Sequence, residues 1–227
     1  MSALPRFAIA TLRAALATVV EAALLAWGCG GVNAMLAEPR ALALLALWLG
    51  IGLALNATRP VRGQRVEHSR PDALAMAALA LLPLAIPALA AWGGRTGTWS
   101  LPAPQVVGWV GVGVAVLGLS LRVAAMRQLG ARFSPLVALQ QDHTLETRGW
   151  YAHVRHPGYL GAIAASLGTA VAFGSAVALP WVAVMLAVQV ARIRREETLL
   201  AGRFGEAWTA YASRTGALWP RWGPPAR

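Results

Sequence analysis

Lysine is missing from the 227 residues, and only nine acidic side chains stand against twenty basic ones, so every one of the twenty is arginine. Charged residues make up 13% of the chain and hydrophobic ones 57%. That is too little charge to clothe a soluble domain, and with a mean hydropathy of +0.55 it fits a polytopic membrane protein. The lone Cys29 excludes an internal disulfide and any multi-cysteine metal site. No Ser/His/Asp or Cys/His constellation is present, and neither a long repeat nor a low-complexity linker. The run GWVGVGVAVLG (108–118) lacks a third glycine at the dinucleotide-fingerprint spacing and lies within an apolar stretch. Close helix packing through small residues is its reading.

What is present is long apolar runs, near residues 8–36, 41–57, 73–92, 106–121, 158–173 and 176–191. Each approaches the length a bilayer demands. With the N-terminus in the cytosol, eighteen arginines fall on the inner side, and only Arg40 and Arg95 fall outside. The positive-inside rule therefore puts both termini in the cytosol, in keeping with an even number of crossings. Read this way the basic excess is a topology signal, and nucleic acid is not an expected partner. The first run is long for a signal-peptide core, and Trp27 in AWGC spoils a lipoprotein-type cleavage pattern, so a retained span is expected. The expected fold is all-α: one polytopic membrane domain over residues 1–227 with about six spans. Four N-terminal spans occupy 1–128, and 129–227 hold a helical hairpin and a cytoplasmic pocket.

RPVRGQRVEHSRPD (59–72) reads as a polar cytoplasmic loop and GGRTGTWSLPAPQ (93–105) as a turn-rich outer one. The ten tryptophans fall mostly near span ends, where an interfacial belt is the default reading. Glu21 is an acid inside the first span, and two readings stay open for it: a pairing with an arginine, or a site role.

Chemically specific residues concentrate from residue 130 onward. RFSPLVAL (132–139) has a strand-like or amphipathic look, and QQDHTLETRG (140–149) is rich in hydrogen-bonding side chains. In VRHPGYLG (154–161), Pro157 suits the first turn of a helix, because the N–H it lacks would have been unpaired there. His156 then sits near the N-cap, where free amides and the helix dipole favour an anion. If the following helix turns back near residues 174–177, position 157 comes level with roughly 192–197 on the return helix. Arg192 and Glu196, four apart on one helix face, then stand with Glu197 beside His156 and Tyr159. The plainer alternative is a solvated, snorkelling helix end carrying an ion pair. The RHPxYxG start at matching height favours a pocket.

DHTLETRGWYAHVRHPGYLG (142–161), with SLGT at 166–169, REE at 195–197 and RFGEAWTAYASRTGALWP at 203–220, resembles the isoprenylcysteine carboxyl methyltransferases. The likeness covers roughly residues 120–220; the first three spans match in hydrophobicity alone. The resemblance implies S-adenosylmethionine as cofactor, no metal, and a lipophilic small-molecule or prenylated substrate reached from the bilayer. It implies that His143, Thr144, Leu145 and Glu146 form a cofactor-side loop followed by Tyr151. His156, Pro157, Gly158 and Tyr159 would line the cofactor at the helix start, and Glu196 with Glu197 would meet it from the return helix. Arg192 would meet the substrate carboxylate. Arg155 would cap the cofactor's carboxylate or anchor the helix at the headgroups, with the first reading preferred. Glu146 stands where the family usually has an apolar residue, which favours a backbone contact there. Gln140 is a candidate for the family's upstream glutamine only after a gap is adjusted.

A carboxylate acceptor is already anionic at neutral pH, so methyl transfer to it needs no general base and no protein nucleophile. Alignment and exclusion of water would supply the catalysis. Phospholipid amines and thiols are alternative acceptors. Two rivals are an NADPH-dependent sterol-type reductase and a non-enzymatic membrane scaffold; Gly158 and the paired acids 196–197 argue against the reductase. The lysine-free, Ala- and Arg-rich composition points to a GC-rich bacterial genome and hence to a bacterial inner membrane.

Overall fold

The structure is a computed structural model and describes residues 3–56, 65–68, 73–130, 138–140 and 144–221. Among the described residues, eight α-helices run in chain order as α1 (Ala3–Cys29), α2 (Val32–Leu36), α3 (Pro39–Asn56), α4 (Ala73–Thr96), α5 (Pro104–Leu129), α6 (Pro157–Val171), α7 (Leu179–Phe204) and α8 (Glu206–Arg214). A 3-10 turn at Gly149–Ala152 precedes α6. The all-α expectation needs one amendment, a short antiparallel ribbon. In it β1 (Arg65–His68) pairs with β2 (Ala138–Gln140), which overlaps the last two residues of the stretch whose pattern looked strand-like.

Among the described residues, two helices, α4 and α5, are long and apolar enough to cross a membrane. The apolar stretches Ala14–Cys29 and Pro39–Ala54 are shorter. The first apolar run is not one helix: Gly30 and Gly31, with φ of +94° and +134°, end α1 and let the chain reverse into α2. Only glycine adopts such angles in succession without strain. The core is built from Leu25, Leu44, Ile86, Val112, Val182 and Met185, with alanines between them. Leu16, Val19, Val110 and Leu117 are exposed, as lipid-facing positions of α1 and α5 would be.

The small-residue run of α5 packs directly on α6. A Cβ added at Gly111 would lie 2.6 Å from the Gly168 carbonyl oxygen, and one at Gly118 would lie 2.6 Å from that of Gly161. The two contacts are seven residues apart on each helix, which sets the antiparallel register over two full turns. Helix backbones approach this closely only where side chains are absent. The same register carries Arg122 to the start of α6, where its Nη1 donates to the Gly158 carbonyl at 2.9 Å.

Both arginines assigned to the outer side tie helix ends together. Arg40, 7% exposed, holds Glu38 through two hydrogen bonds of 2.7 and 2.9 Å and reaches the Pro104 carbonyl at 3.4 Å. Hydrogen bonding to Arg40 also holds the Glu38 carboxyl below its usual range. Arg95 donates from Nε to the Gly28 carbonyl at 3.1 Å. Glu21 is buried, pairs with no arginine among the described residues and does not line the cavity described below.

Replacing Gly118 with Leu should destabilise the protein by about 2 kcal/mol or more, the scale of overpacking at a tight contact. Gly113→Ala on the same helix, where nothing lies within 4 Å, should change stability by less than about 1 kcal/mol. Thermal unfolding in one detergent compares the two; equal effects would remove the seam as the organising contact.

Candidate active site

The site begins at the end of α5. Gln128 donates to the Arg148 carbonyl at 2.6 Å and accepts from the Trp150 N–H at 3.3 Å, fixing the 3-10 turn. That turn buries Tyr151, whose hydroxyl faces the Ala125 carbonyl at 3.4 Å. The next residues run beside the C-terminal segment, where the N–H groups of Arg155 and His156 donate to the Gly216 and Ala217 carbonyls at 2.8 and 3.0 Å. His156 is the N-cap position of α6 and Pro157 occupies the first turn, as its chemistry requires.

The hairpin of α6 and α7 then brings distant residues together. Tyr159 Oη donates to Glu196 Oε2 at 3.0 Å, and His156 Nε2 lies 3.2 Å from Glu197 Oε1. Arg155 Nε donates to the same Glu197 oxygen at 2.8 Å. The partners of 156 and 159 are thus 197 and 196, inside the window expected from helical rise alone. Arg192 adjoins the Tyr159 hydroxyl, and its Nη1 lies 3.6 Å from Met76 Sδ on α4. The His156 and Tyr159 rings meet edge to face, with centroids 5.6 Å apart.

Arg155 does more than flank His156. Its Nη1 donates to the carbonyls of Ala212, at 3.0 Å, and Thr215, and its guanidinium lies 5.8 Å from the Trp208 ring centroid. Tyr211 Oη donates to the Tyr151 carbonyl at 2.7 Å. One arginine and one tyrosine therefore clamp α8 against the start of α6. Hydrogen bonding from His156, reinforced by Arg155, holds the Glu197 carboxyl at about 2 against the opposing cost of burial.

These residues border a cavity of about 530 Å³, within the size range of small-molecule sites. Its polar end is lined by Glu146, Arg155, His156, Tyr159, Arg192 and Glu196. Its apolar limb extends between α4 and α7 past Leu79, Pro83, Ile86, Leu119 and Met185. Pro83 lies inside α4, and the N–H it lacks leaves the Leu79 carbonyl without its helical donor. On α7, residues 185, 189, 192 and 196 form one stripe along the cavity wall.

Of the residues singled out from the sequence, Leu145, Tyr151 and Gly158 also line the cavity. Pro157 is buried at the helix start, and Thr144 is exposed and does not line the cavity. Glu197 lies behind the wall as the partner of Arg155 and His156. His143 falls outside the described residues. Among the lining residues that were not singled out are Arg122, Gln189, Trp208 and Tyr211. Arg122 was counted only among inner-side arginines, although the glycine spacing of α5 continued by one turn points to it. Gln189 could have been found as the polar residue one turn before Arg192.

Fold and cavity together define a helical membrane protein with an amphipathic pocket, charged at the end where α6 starts and apolar along the bundle. Residues 109–202 match the model of the isoprenylcysteine carboxyl methyltransferase family. A protein-S-isoprenylcysteine O-methyltransferase of Schizosaccharomyces pombe is 39% identical over 106 residues, 45% of this chain and 45% of that one. Another, from Tribolium castaneum, is 33% identical over 127 residues, 52% of this chain and 44% of that protein. The matched part thus spans less than half of each relative's length. A solved structure of a eukaryotic intramembrane Ras methyltransferase of the same family shares the fold, with a TM-score of 0.55 at 22% identity. The likeness covers 80% of this chain and 67% of that one.

A carboxyl held below its solution value stabilises the fold above the unfolded carboxylate pKa, about 4.3, and loses that contribution as pH falls toward its folded value. Wild-type stability should therefore fall between about pH 4.5 and 2. Glu197→Gln should lower stability at pH 7 by about 2 kcal/mol and flatten this acid limb. Thermal unfolding across pH checks it; an unchanged acid limb in E197Q would show that Glu197 is not the titrating anchor.

Proposed function

We propose that this protein is an S-adenosylmethionine-dependent methyltransferase that O-methylates the carboxylate of a lipophilic, isoprenylcysteine-like acid at the membrane. The observation that carries the reading is the continuity of one cavity from the Tyr159–Glu196 pair to the apolar limb at Leu79, Ile86 and Met185. A polar cofactor and a greasy acceptor can share such a space, each in its own solvent environment. The matched family segment supports the reaction class, and the two curated relatives carry that activity in their names.

The donor set fits the cofactor. Its amino group, ribose hydroxyls and sulfonium suit the carboxylates of Glu196 and Glu146, and its own carboxylate suits an arginine or the free amides at the start of α6. His156, Pro157, Gly158, Tyr159, Leu145 and Tyr151, with Glu196 opposite, would form its binding wall, and His143 and Thr144 match the family's motif beside them. When bound, S-adenosylmethionine supplies an electrophilic methyl group on a positive sulfur.

The chain's own residues would then do the aligning. Arg192 orients the acceptor's carboxylate, which arrives ionised and needs no base. Tyr159 and Glu196 hold each other across the hairpin, so the carboxylate facing the cofactor is fixed in advance. Apolar walls keep water from the reacting atoms. Arg155 at the polar end, with Glu197 behind it, fastens α8 there, and Glu197 orients His156.

In the membrane, six crossings with both termini in the cytosol agree with the arginine distribution, and the polar end would then open to the cytoplasm of a bacterial cell. The acceptor's tail would enter sideways between helices.

Arg192→Ala should reduce kcat/KM for methyl transfer about 100-fold or more while leaving the cofactor Kd within about threefold. Glu196→Ala should weaken cofactor binding about tenfold or more. Methyl-ester formation on N-acetyl-S-farnesylcysteine and calorimetry with S-adenosylmethionine separate the two effects. Normal turnover in R192A, or normal affinity in E196A, would overturn these assignments.

A further inference from the structure

The apolar limb contains three polar side chains that the proposed reaction leaves unused. Gln189 and Thr169 are 2% and 4% exposed, and both line the cavity together with Ser166. Ser166 and Thr169 are three apart on α6 and so share one face. The register set by Tyr159 against Glu196 puts Ser166 level with Gln189 on α7, so the two helices present these groups to the same stretch of cavity. Their neighbours there, Ala162, Ala165 and Met185, offer no side-chain oxygen or nitrogen. Among the described residues none of the three makes a side-chain hydrogen bond, and none of their polar atoms is sealed from the cavity they line.

Buried polar groups are rarely left without partners, and at bilayer depth the cost of doing so is felt in full. Gln189 brings two N–H donors and a carbonyl acceptor, while the two hydroxyls bring both functions. A limb meant for bare hydrocarbon would be better lined by leucine, valine and alanine. Gln189 lies three residues before Arg192 on the same cavity-facing stripe, about 5 Å deeper along the helix.

We propose that Gln189, with Thr169 and Ser166, receives a second hydrogen-bonding group on the acceptor, a carbonyl or hydroxyl carried on its tail about one helical turn deeper than the carboxylate. The inference rests on the proposed carboxyl methylation and names its substrate class: long-chain acids oxygenated near the head, in preference to acids with plain tails. The thioether of an isoprenylcysteine would be a weaker partner for the same groups. Gln189 is then a specificity-determining residue that discriminates through its unsatisfied amide. A site built to hydrogen-bond rejects the analogue that lacks the group.

Hexadecanoic acid and 5-oxohexadecanoic acid are matched probes, since the oxo group lies four bonds from the carboxylate carbon. Equilibrium binding of both to the full-length protein in nanodiscs, with S-adenosylmethionine present, is measured alongside methyl-ester formation. Wild type should bind the oxo acid about 10- to 100-fold more tightly. Gln189→Leu and Thr169→Val should each bring the ratio to within about threefold. Equal binding of the two acids by wild type, no binding of either, or an unchanged ratio in Q189L would overturn the proposal. A clear preference in binding without ester formation would leave it standing and remove the methyltransferase reading; ester formation without preference would do the reverse.

Discussion

Everything at the polar end of this protein depends on how closely α5 and α6 approach. At Gly111–Gly168 and Gly118–Gly161 one backbone lies against another with no side chain between. That contact fixes register as well as distance. It sets Arg122 beneath the first turn of α6, and it leaves the facing side of α6 free to meet α7. A looser pair of helices would let that first turn slide, and the His156 and Tyr159 side chains would no longer meet their partners.

On that base the site is closed by few but well-placed charges. Glu197 accepts from Arg155 and faces His156, while Arg155 reaches on to the carbonyls that end α8. A half-buried carboxylate that accepts from an arginine and faces a histidine is worth more than an exposed pair, because little water competes for it. The neighbouring Glu196 accepts from the Tyr159 hydroxyl and borders the cavity. Two adjacent acids thus have different tasks, one behind the wall and one in it. The distinction follows from helix geometry, since successive residues point about 100° apart.

Much of this arrangement could be read from residues alone. Counting helical rise from the expected turn was enough to pair 156–159 with 196–197. The glycine spacing in GWVGVGVAVLG was rightly read as packing, although the partner helix stayed hidden because packing partners are not written in a local pattern. Arg155 was harder. It was expected to cap the cofactor's carboxylate or to anchor at the headgroups; within the protein its hydrogen bonds go to Glu197 and to carbonyls 57 and 60 residues away. A contact of that sequence separation leaves no periodic trace. Arg122 was absorbed into the count of inner-side arginines, a signal that explains charge and says nothing about which charge turns inward. The reversal at Gly30–Gly31 was missed because hydropathy averages over it.

The central claim is that the charged end of the cavity is a S-adenosylmethionine site. Calorimetric titration of the purified full-length protein with S-adenosylmethionine, and separately with NADPH, addresses it most directly. The account predicts saturable binding of S-adenosylmethionine and none of NADPH. Saturable NADPH binding with no response to S-adenosylmethionine would contradict it.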